Sequence, residues 1–199
     1  NVYCDMATDG GGWTVVQRRT NGELDFDRNW EDYRTGFGTD AAKCDREFWL
    51  GNEHLVGLTS NNFLTVRFEI TDWQDQTRVA EYYYFRVNNI SQYQENSITG
   101  WGYPGAHRKN PNNMKFTTRD NDNDLNETGN CAHLYAGRHG SGGWWYNSCM
   151  AANINGHYYH GIVDGDGIMW PTWAGISYSM KGTEMKVRPH DFSQNSGDG

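Results

Sequence analysis

From about residue 92 to 170 the chain shows almost no hydrophobic periodicity, and a compact domain rarely tolerates roughly eighty residues without regular elements. Such a stretch needs a device to hold it, and its centre supplies one: residues 120–149 read DNDNDLNETGNCAHLYAGRHGSGGWWYNSC. Hard oxygen ligands, two cysteines and a run of indole and phenol rings fall within thirty residues. With 199 residues, nine Trp, twelve Tyr and eight Phe but only short aliphatic runs, the chain suits strands, turns and aromatic-packed loops. A long helical bundle is disfavoured, and the length fits one well-buried domain or two small ones.

Outside that stretch the periodic signals are clear. Residues 9–19 read as a glycine turn and a strand with Trp13, Val15 and Gln17 on one face. Residues 22–36, carrying Leu24, Phe26, Trp30 and Tyr33, predict a short amphipathic helix ending near Gly36. A second such segment opens at EFWLGNEHLVGLT, with Phe48, Trp49, Leu50, Leu55 and Leu58 as its apolar residues. The runs 63–70 and 78–87 predict adjacent antiparallel strands joined by the polar turn TDWQDQ. The last strand signal is 182–190, where Met185 and Val187 alternate with charge, and the SQNSGDG tail reads as disordered. The expectation is one α+β domain over 1–199 with a large irregular lobe.

The formal net charge of −8 disfavours nucleic acid, which needs a basic face to release phosphate counterions, and equally an anionic membrane surface. No apolar run approaches the roughly 18 residues of a membrane span, and the first residues are no signal peptide, so a signal would already have been removed. Four cysteines at 4, 44, 131 and 149 form no CxxC pair, which speaks against a zinc ribbon and for two disulfides in an oxidising compartment. Cys131 and Cys149 would close one loop, with two buried thiols as the alternative; Cys4 and Cys44 could make the second bridge, since spacing does not fix connectivity. The sequons at Asn89 and Asn126 also point to a secreted, extracellular glycoprotein. Nucleophile-elbow, zincin, Walker A and Rossmann motifs are all missing, and no carboxylate pair stands out as an acid and base, so a non-enzyme is expected.

The spacing Asp120-x-Asp122-x-Asp124 lets carboxylates converge on one hard cation, and calcium accepts six to eight oxygens from a flexible loop. It is not an EF-hand, because positions six and twelve from Asp120 are Leu125 and Cys131. A solvated acidic turn is the competing reading. Trp144, Trp145, Tyr146, Tyr158 and Tyr159 could wall a sugar or peptide pocket, or fill the core of a lobe poor in aliphatics. His157 and His160, three apart, make a weak zinc pair without helical patterning around them.

Eight blocks, in order and spacing, carry a resemblance that spans nearly the whole chain: VYCDMATDGGGWTVVQRR, FDRNWEDYRTGFG, EFWLGNEHL, MKFTTRDNDND, NCA, GGWWYNSC, NINGHYYHG and SYSMKGTEMKVRP. They resemble the fibrinogen C-terminal domain family, which includes ficolins, tachylectins, tenascins, angiopoietins and the fibrinogen chains. The resemblance implies an N-terminal subdomain (1–45), a central antiparallel sheet (46–104 with 175–190), a calcium and ligand lobe (105–174) and a flexible tail (191–199). It implies Ca2+ on the carboxylates of Asp122 and Asp124 and on the carbonyls of Asn126 and Thr128, with Asp120 as a turn or supporting residue. It also implies a Cys131–Cys149 bridge and a cis Ser148–Cys149 peptide. A ligand site would take Tyr135, Trp145, Tyr146, Ser148, Cys149, Met150, Asp164 and Gly165. Met150 stands where a histidine is usual, Asp164 and Gly165 where a tyrosine and a small residue would sit, and AGRHGSGG is longer than the ficolin loop. The function it implies is innate-immune, lectin-like binding of carbohydrate or acetylated and anionic microbial groups. The alternative is a protein-binding module of a signalling ligand or matrix protein, able to oligomerise through upstream regions.

Overall fold

The computed structural model describes residues 2–38, 46–90, 95–99, 112–134, 142–149, 152–162 and 165–192. In chain order the elements are β1 (Cys4–Asp5), β2 (Trp13–Arg19), α1 (Trp30–Thr35), β3 (Phe37–Gly38), β4 (Phe48–Trp49), α2 (Asn52–Thr59) and β5 (Leu64–Thr71). They continue with β6 (Thr77–Ile90), β7 (Glu95–Thr99), α3 (Cys131–Leu134), β8 (Gly161–Ile162), α4 (Pro171–Ala174), β9 (Tyr178–Ser179) and β10 (Gly182–Pro189). The fold is α+β, as expected. Its spine is an antiparallel sheet in the order β3-β4-β2-β10-β5-β6-β7, with β1 added beside β2.

The expected hairpin is present: β5 and β6 pair from Leu64↔Phe85 to Thr71↔Thr77. Its turn is built by Asp72, whose carboxylate accepts from the backbone N–H of Gln74 and Gln76 at 2.9 Å each, an Asx-type closure. The strand at 182–190 is no edge. β10 lies between β2 and β5, so Met185 and Val187 are buried on one face and Lys186 on the other.

Three local expectations are corrected. Only Trp30–Thr35 of the expected 22–36 helix is helical; residues 20–24 form instead an irregular turn wrapped around the Glu47 carboxylate, which accepts from the backbone N–H groups of Thr20, Asn21, Gly22 and Leu24. The EFWLGNEHLVGLT segment divides into β4 and α2 at Gly51, whose φ of +113° a side chain would strain, and Leu58 points to solvent. Trp13, Val15 and Gln17 do not share a face. Met185 opposes Gln17 but Lys186 opposes Val15, so a bulge flips the alternation between them. Trp13 therefore lies under the Arg188 guanidinium on the charged face, and Gln17 points into the lobe.

The subdomain division is also redrawn. β2, from the stretch assigned to an N-terminal unit, runs through the middle of the central sheet, whereas β7 falls within the 46–104 stretch expected to build it. Phe192 of the expected tail packs beneath Arg188, while residues 193–199 and Cys44 lie outside the described residues.

Candidate functional site

The lobe is seated on the sheet through polar groups as well as rings. Gln17 Nε2 donates to the Ile154 carbonyl (2.9 Å) and to Asn155 Oδ1 (3.1 Å), and Arg19 Nη1 donates to the Gly156 carbonyl (2.7 Å). Thr117 and Trp144 exchange backbone hydrogen bonds of 2.9 and 3.1 Å, which bring the GGWWY run beneath the acidic loop. A Cβ on Gly143 would lie 2.7 Å from both the Phe116 and Tyr33 rings, so only glycine admits this approach.

Trp144, Trp145 and Tyr146 are consequently core residues. Trp145 and Tyr146 are 1 % and 0 % exposed, with the Trp145 ring 4.9 Å edge-on to Phe116 and 6.1 Å from Trp49. The Tyr146 hydroxyl donates to the Gly142 carbonyl (2.8 Å) and accepts from Asn153 Nδ2 (3.0 Å). The expectation that Trp145 and Tyr146 offer ring faces to a ligand is corrected. A lobe short of aliphatics spends its largest rings on its own interior.

Above this floor the three aspartates separate in role. Asp120 turns away, its Oδ1 accepting from Trp30 N (2.8 Å) and Thr118 Oγ1 (2.7 Å). Asp124 is held at both oxygens: Asn126 N donates to Oδ1 (2.8 Å) and Cys131 N to Oδ2 (2.7 Å). Asp122 is alongside, its Oδ1 3.3 Å from Asp124 N. Burial pushes the Asp124 carboxyl up, and the neighbouring Asp122 adds to this against the two backbone donors. A half-buried carboxylate with a second one beside it favours a proton or a hard cation there. Among the described residues no three His, Cys, Asp or Glu side chains gather as a metal site, so further ligands would have to be main-chain carbonyls or water. The oxygen-only donor set fits calcium in that form.

Asn126 and Thr128 face each other across the loop. Asn126 Nδ2 donates to the Gly129 carbonyl (2.7 Å), and Thr128 Oγ1 donates to Asn126 Oδ1 (3.0 Å). Asn89 lies in β6 beside Asn96, and its side chain is outside the description.

Cys131 and Cys149 are bridged, with Cα atoms 5.3 Å apart, and Ser148–Cys149 is a cis peptide. The bridge spans 18 positions and ties α3 to the end of the aromatic run. Replacing both cysteines by alanine is expected to lower stability by about 3 kcal/mol, since the unfolded chain regains a loop of that length. A urea midpoint unchanged in the double variant would contradict this. Cys4 is a free, exposed thiol among the described residues.

Of the other expected ligand residues, Ser148 is exposed, Cys149 is buried by the bridge and Gly165 adopts a φ of +91°. Tyr135, Met150 and Asp164 lie outside the described residues. His160 stacks on Trp73 at 3.7 Å and His157 lies against Tyr159 at 4.4 Å, so each serves a separate ring contact. Sequence reasoning missed Gln17, Arg19 and Glu47 as the polar seat of the lobe. Their only signal is polarity inside otherwise apolar blocks, which does not name distant partners. It also missed Ile162 and Ile176, 87 % and 64 % exposed on and beside the small β8–β9 hairpin, where Ile162 pairs with Tyr178.

An antiparallel sheet carrying a loop lobe, an aspartate pair and a bridged cis-peptide corner defines the architecture, and the comparisons place it in a family. The family profile described as the C-terminal globular domain of fibrinogen beta and gamma chains matches residues 1–190. The chain belongs to that family. Human fibrinogen-like protein 1 is 41% identical over 214 residues, which cover 98% of this chain and 65% of the relative. Bovine angiopoietin-4 is 40% identical over 193 residues, covering 94% of this chain and 37% of the relative. The chain thus spans just under two thirds of the fibrinogen-like proteins it matches. The fibrinogen-like globe domain of human ANGPTL2 superposes with a TM-score of 0.81 at 39% identity, covering 95% of this chain and 85% of that one. Lamprey fibrin D-dimer, complexed with the peptide Gly-His-Arg-Pro-amide, gives 0.84 at 33% identity, covering 100% and 67%.

Proposed function

We propose that the chain is an extracellular, calcium-braced recognition domain that binds a protein or peptide partner through its loop lobe and performs no catalysis. The observation that carries the choice of partner is the burial of Trp145 and Tyr146, which removes two ring faces from a carbohydrate site. Ile162 and Ile176 meanwhile offer apolar side chains at the surface. The lamprey fibrin relative holds a peptide, which supports the same reading. A disulfide in the lobe suits an oxidising, extracellular setting.

The carboxylates of Asp122 and Asp124, with the carbonyls of Asn126 and Thr128, would hold the ion. When bound, calcium would supply a multivalent cross-link that replaces the repulsion between the two aspartates. Residues 122–131 then keep the Cys131–Cys149 corner and exposed Ser148 in place for a partner. Chelation is expected to lower the melting temperature, because an ion that binds only the folded loop stabilises it by about 2.7 kcal/mol at a hundredfold excess over Kd. Asp122→Ala should give the chelated melting curve with or without calcium. An EDTA-insensitive melt would remove the calcium assignment.

The partner reading is tested by presenting the domain, with calcium, to an array of extracellular protein ectodomains and to a glycan array that includes acetylated and anionic sugars. Selective ectodomain binding, lost in Ile162→Asp and Ile176→Asp variants of unchanged melting temperature, supports it. A calcium-dependent glycan signal with a silent protein array would reverse it in favour of a lectin.

A further inference from the structure

Helix α1 has no cap of its own. Its N-cap residue, Asn29, makes no side-chain bond to the helix, although a helix start leaves backbone donors open. The cap comes instead from ninety residues away. Asp120 Oδ1 accepts from the first helical N–H, that of Trp30, at 2.8 Å, and is itself oriented by Thr118 Oγ1 at 2.7 Å. The adjacent Arg119 closes the clamp, donating from Nε to Asn29 Oδ1 (2.7 Å) and from Nη1 to Asp27 Oδ2 (3.1 Å).

The other side of the same turn is fixed to the aspartate loop. Asn130 Nδ2 donates to the Thr118 carbonyl (2.8 Å), and Asn130 Oδ1 accepts from Ala132 N (2.8 Å) at the start of α3. The next amide, Cys131 N, donates to Asp124. An unbroken chain of bonds therefore runs from Asp124 through Cys131 and Asn130 to the 118–120 turn, and on to α1. Trp30 and Tyr33 of α1 pack on Phe116, at 6.1 and 5.1 Å, in the ring cluster that also holds Trp49 and Trp145.

We infer that Asp120 is a positioning residue that couples the metal loop to helix α1, so that occupancy of Asp122 and Asp124 is felt at Trp30. The inference rests on the calcium reading above. Coupling between two sites is reciprocal, so loosening the clamp must also weaken the ion. Asparagine keeps the acceptor oxygen for Trp30 N and Thr118 Oγ1 but discards the charge. Asp120→Asn thus separates the cap from a ligand or a long-range charge effect.

The test is calcium titration of the whole domain by isothermal calorimetry, with terbium luminescence as a second probe, on wild type, Asp120→Ala, Asp120→Asn and Asp122→Ala. Hydrogen exchange of residues 29–36 is followed in parallel. Asp120→Ala is expected to weaken the ion by about fivefold or more, the lower end of typical couplings, while Asp120→Asn stays within about twofold of wild type. Calcium should slow exchange in 29–36 for wild type and Asp120→Asn but not for Asp120→Ala. Wild-type affinity in Asp120→Ala, even with a lowered melting temperature, overturns the coupling and leaves the calcium site standing. Equal losses in the alanine and asparagine variants overturn it in favour of a charge or ligand role. Absence of calcium binding by the wild type, with Asp122→Ala equally silent, overturns both readings.

Discussion

Replacing Glu47 by glutamine is expected to remove about 3–5 kcal/mol of stability, the cost of leaving a buried charge without its partner. Glu47 and Arg19 are 2 % and 1 % exposed at the side chain, with Arg19 Nε 3.6 Å from Glu47 Oε1. Oε1 also accepts from Thr20, Asn21 and Gly22, and Oε2 from Leu24 at 2.9 Å. In glutamine one of these oxygens becomes an NH2, which meets a donor with a donor, and the Arg19 charge over Phe26 loses its counterion. Against a usual domain stability of about 5–15 kcal/mol this could unfold the chain at ambient temperature. Urea unfolding checks it, and a loss below about 1 kcal/mol would mean that water reaches the pair. Burial works against ionisation of Glu47, yet the Arg19 charge and the Leu24, Thr20 and Gly22 donors outweigh it and hold the carboxyl below its ordinary value. A depressed carboxyl contributes fully above its unfolded pKa of about 4.3, and that contribution fades as pH falls below it.

The second large effect is expected at Lys186. Its ammonium, 1 % exposed, lies 2.7 Å from Asp5, 2.8 Å from Glu184 and 3.1 Å from Glu69. Arg18 on Glu184 and Arg67 on Glu69 and Glu81 extend the network over the charged face of the sheet. Lys186→Met leaves three carboxylates around an apolar side chain and is expected to cost about 3–5 kcal/mol. The network also reinforces the attachment of β1, which pairs with β2 through Cys4↔Thr14 and Asp5↔Trp13. Asp5 accepts from Ala7 N and Thr8 N as well as Lys186, and although burial opposes its ionisation, these partners hold it well below the usual carboxylate range. By the same sign argument as for Glu47, its stabilisation is complete above about pH 3.9 and drains away in acid. Lys186 runs the other way. Burial alone would lower it, but Asp5, Glu184 and Glu69 raise it, so its contribution holds below about pH 10.4 and fades in alkali. Protection factors at the β1–β2 pair, corrected for the intrinsic pH dependence of exchange, should therefore fall at the acid end before the β5–β6 hairpin opens. Simultaneous opening would show that β1 is not the weak point.

Much of this was legible in the chain. The β5–β6 hairpin and β10 announce themselves because alternation with period two is a local property, and the turn between them carries its own Asp72. The Cys131–Cys149 bridge and the cis Ser148–Cys149 peptide were legible through the resemblance. The helix expected over 22–36 is shorter because its first residues wrap around Glu47, more than twenty residues on, in a non-helical turn. No window of local sequence contains that partner. Trp145 and Tyr146 failed as ligand walls for a related reason: a ring reads the same whether it lines a pocket or fills a core.

The sequence by itself determined the family and the main sheet-forming segments, because each depends on residue type and spacing along the chain. The tertiary structure alone decided that Asp120 caps a helix ninety residues away, that β2 and β10 form the centre of the sheet, and that Lys186 is buried among three acids. Those are contacts between segments distant in sequence. They are selected by which donors and apolar faces remain unsatisfied once the local elements have formed.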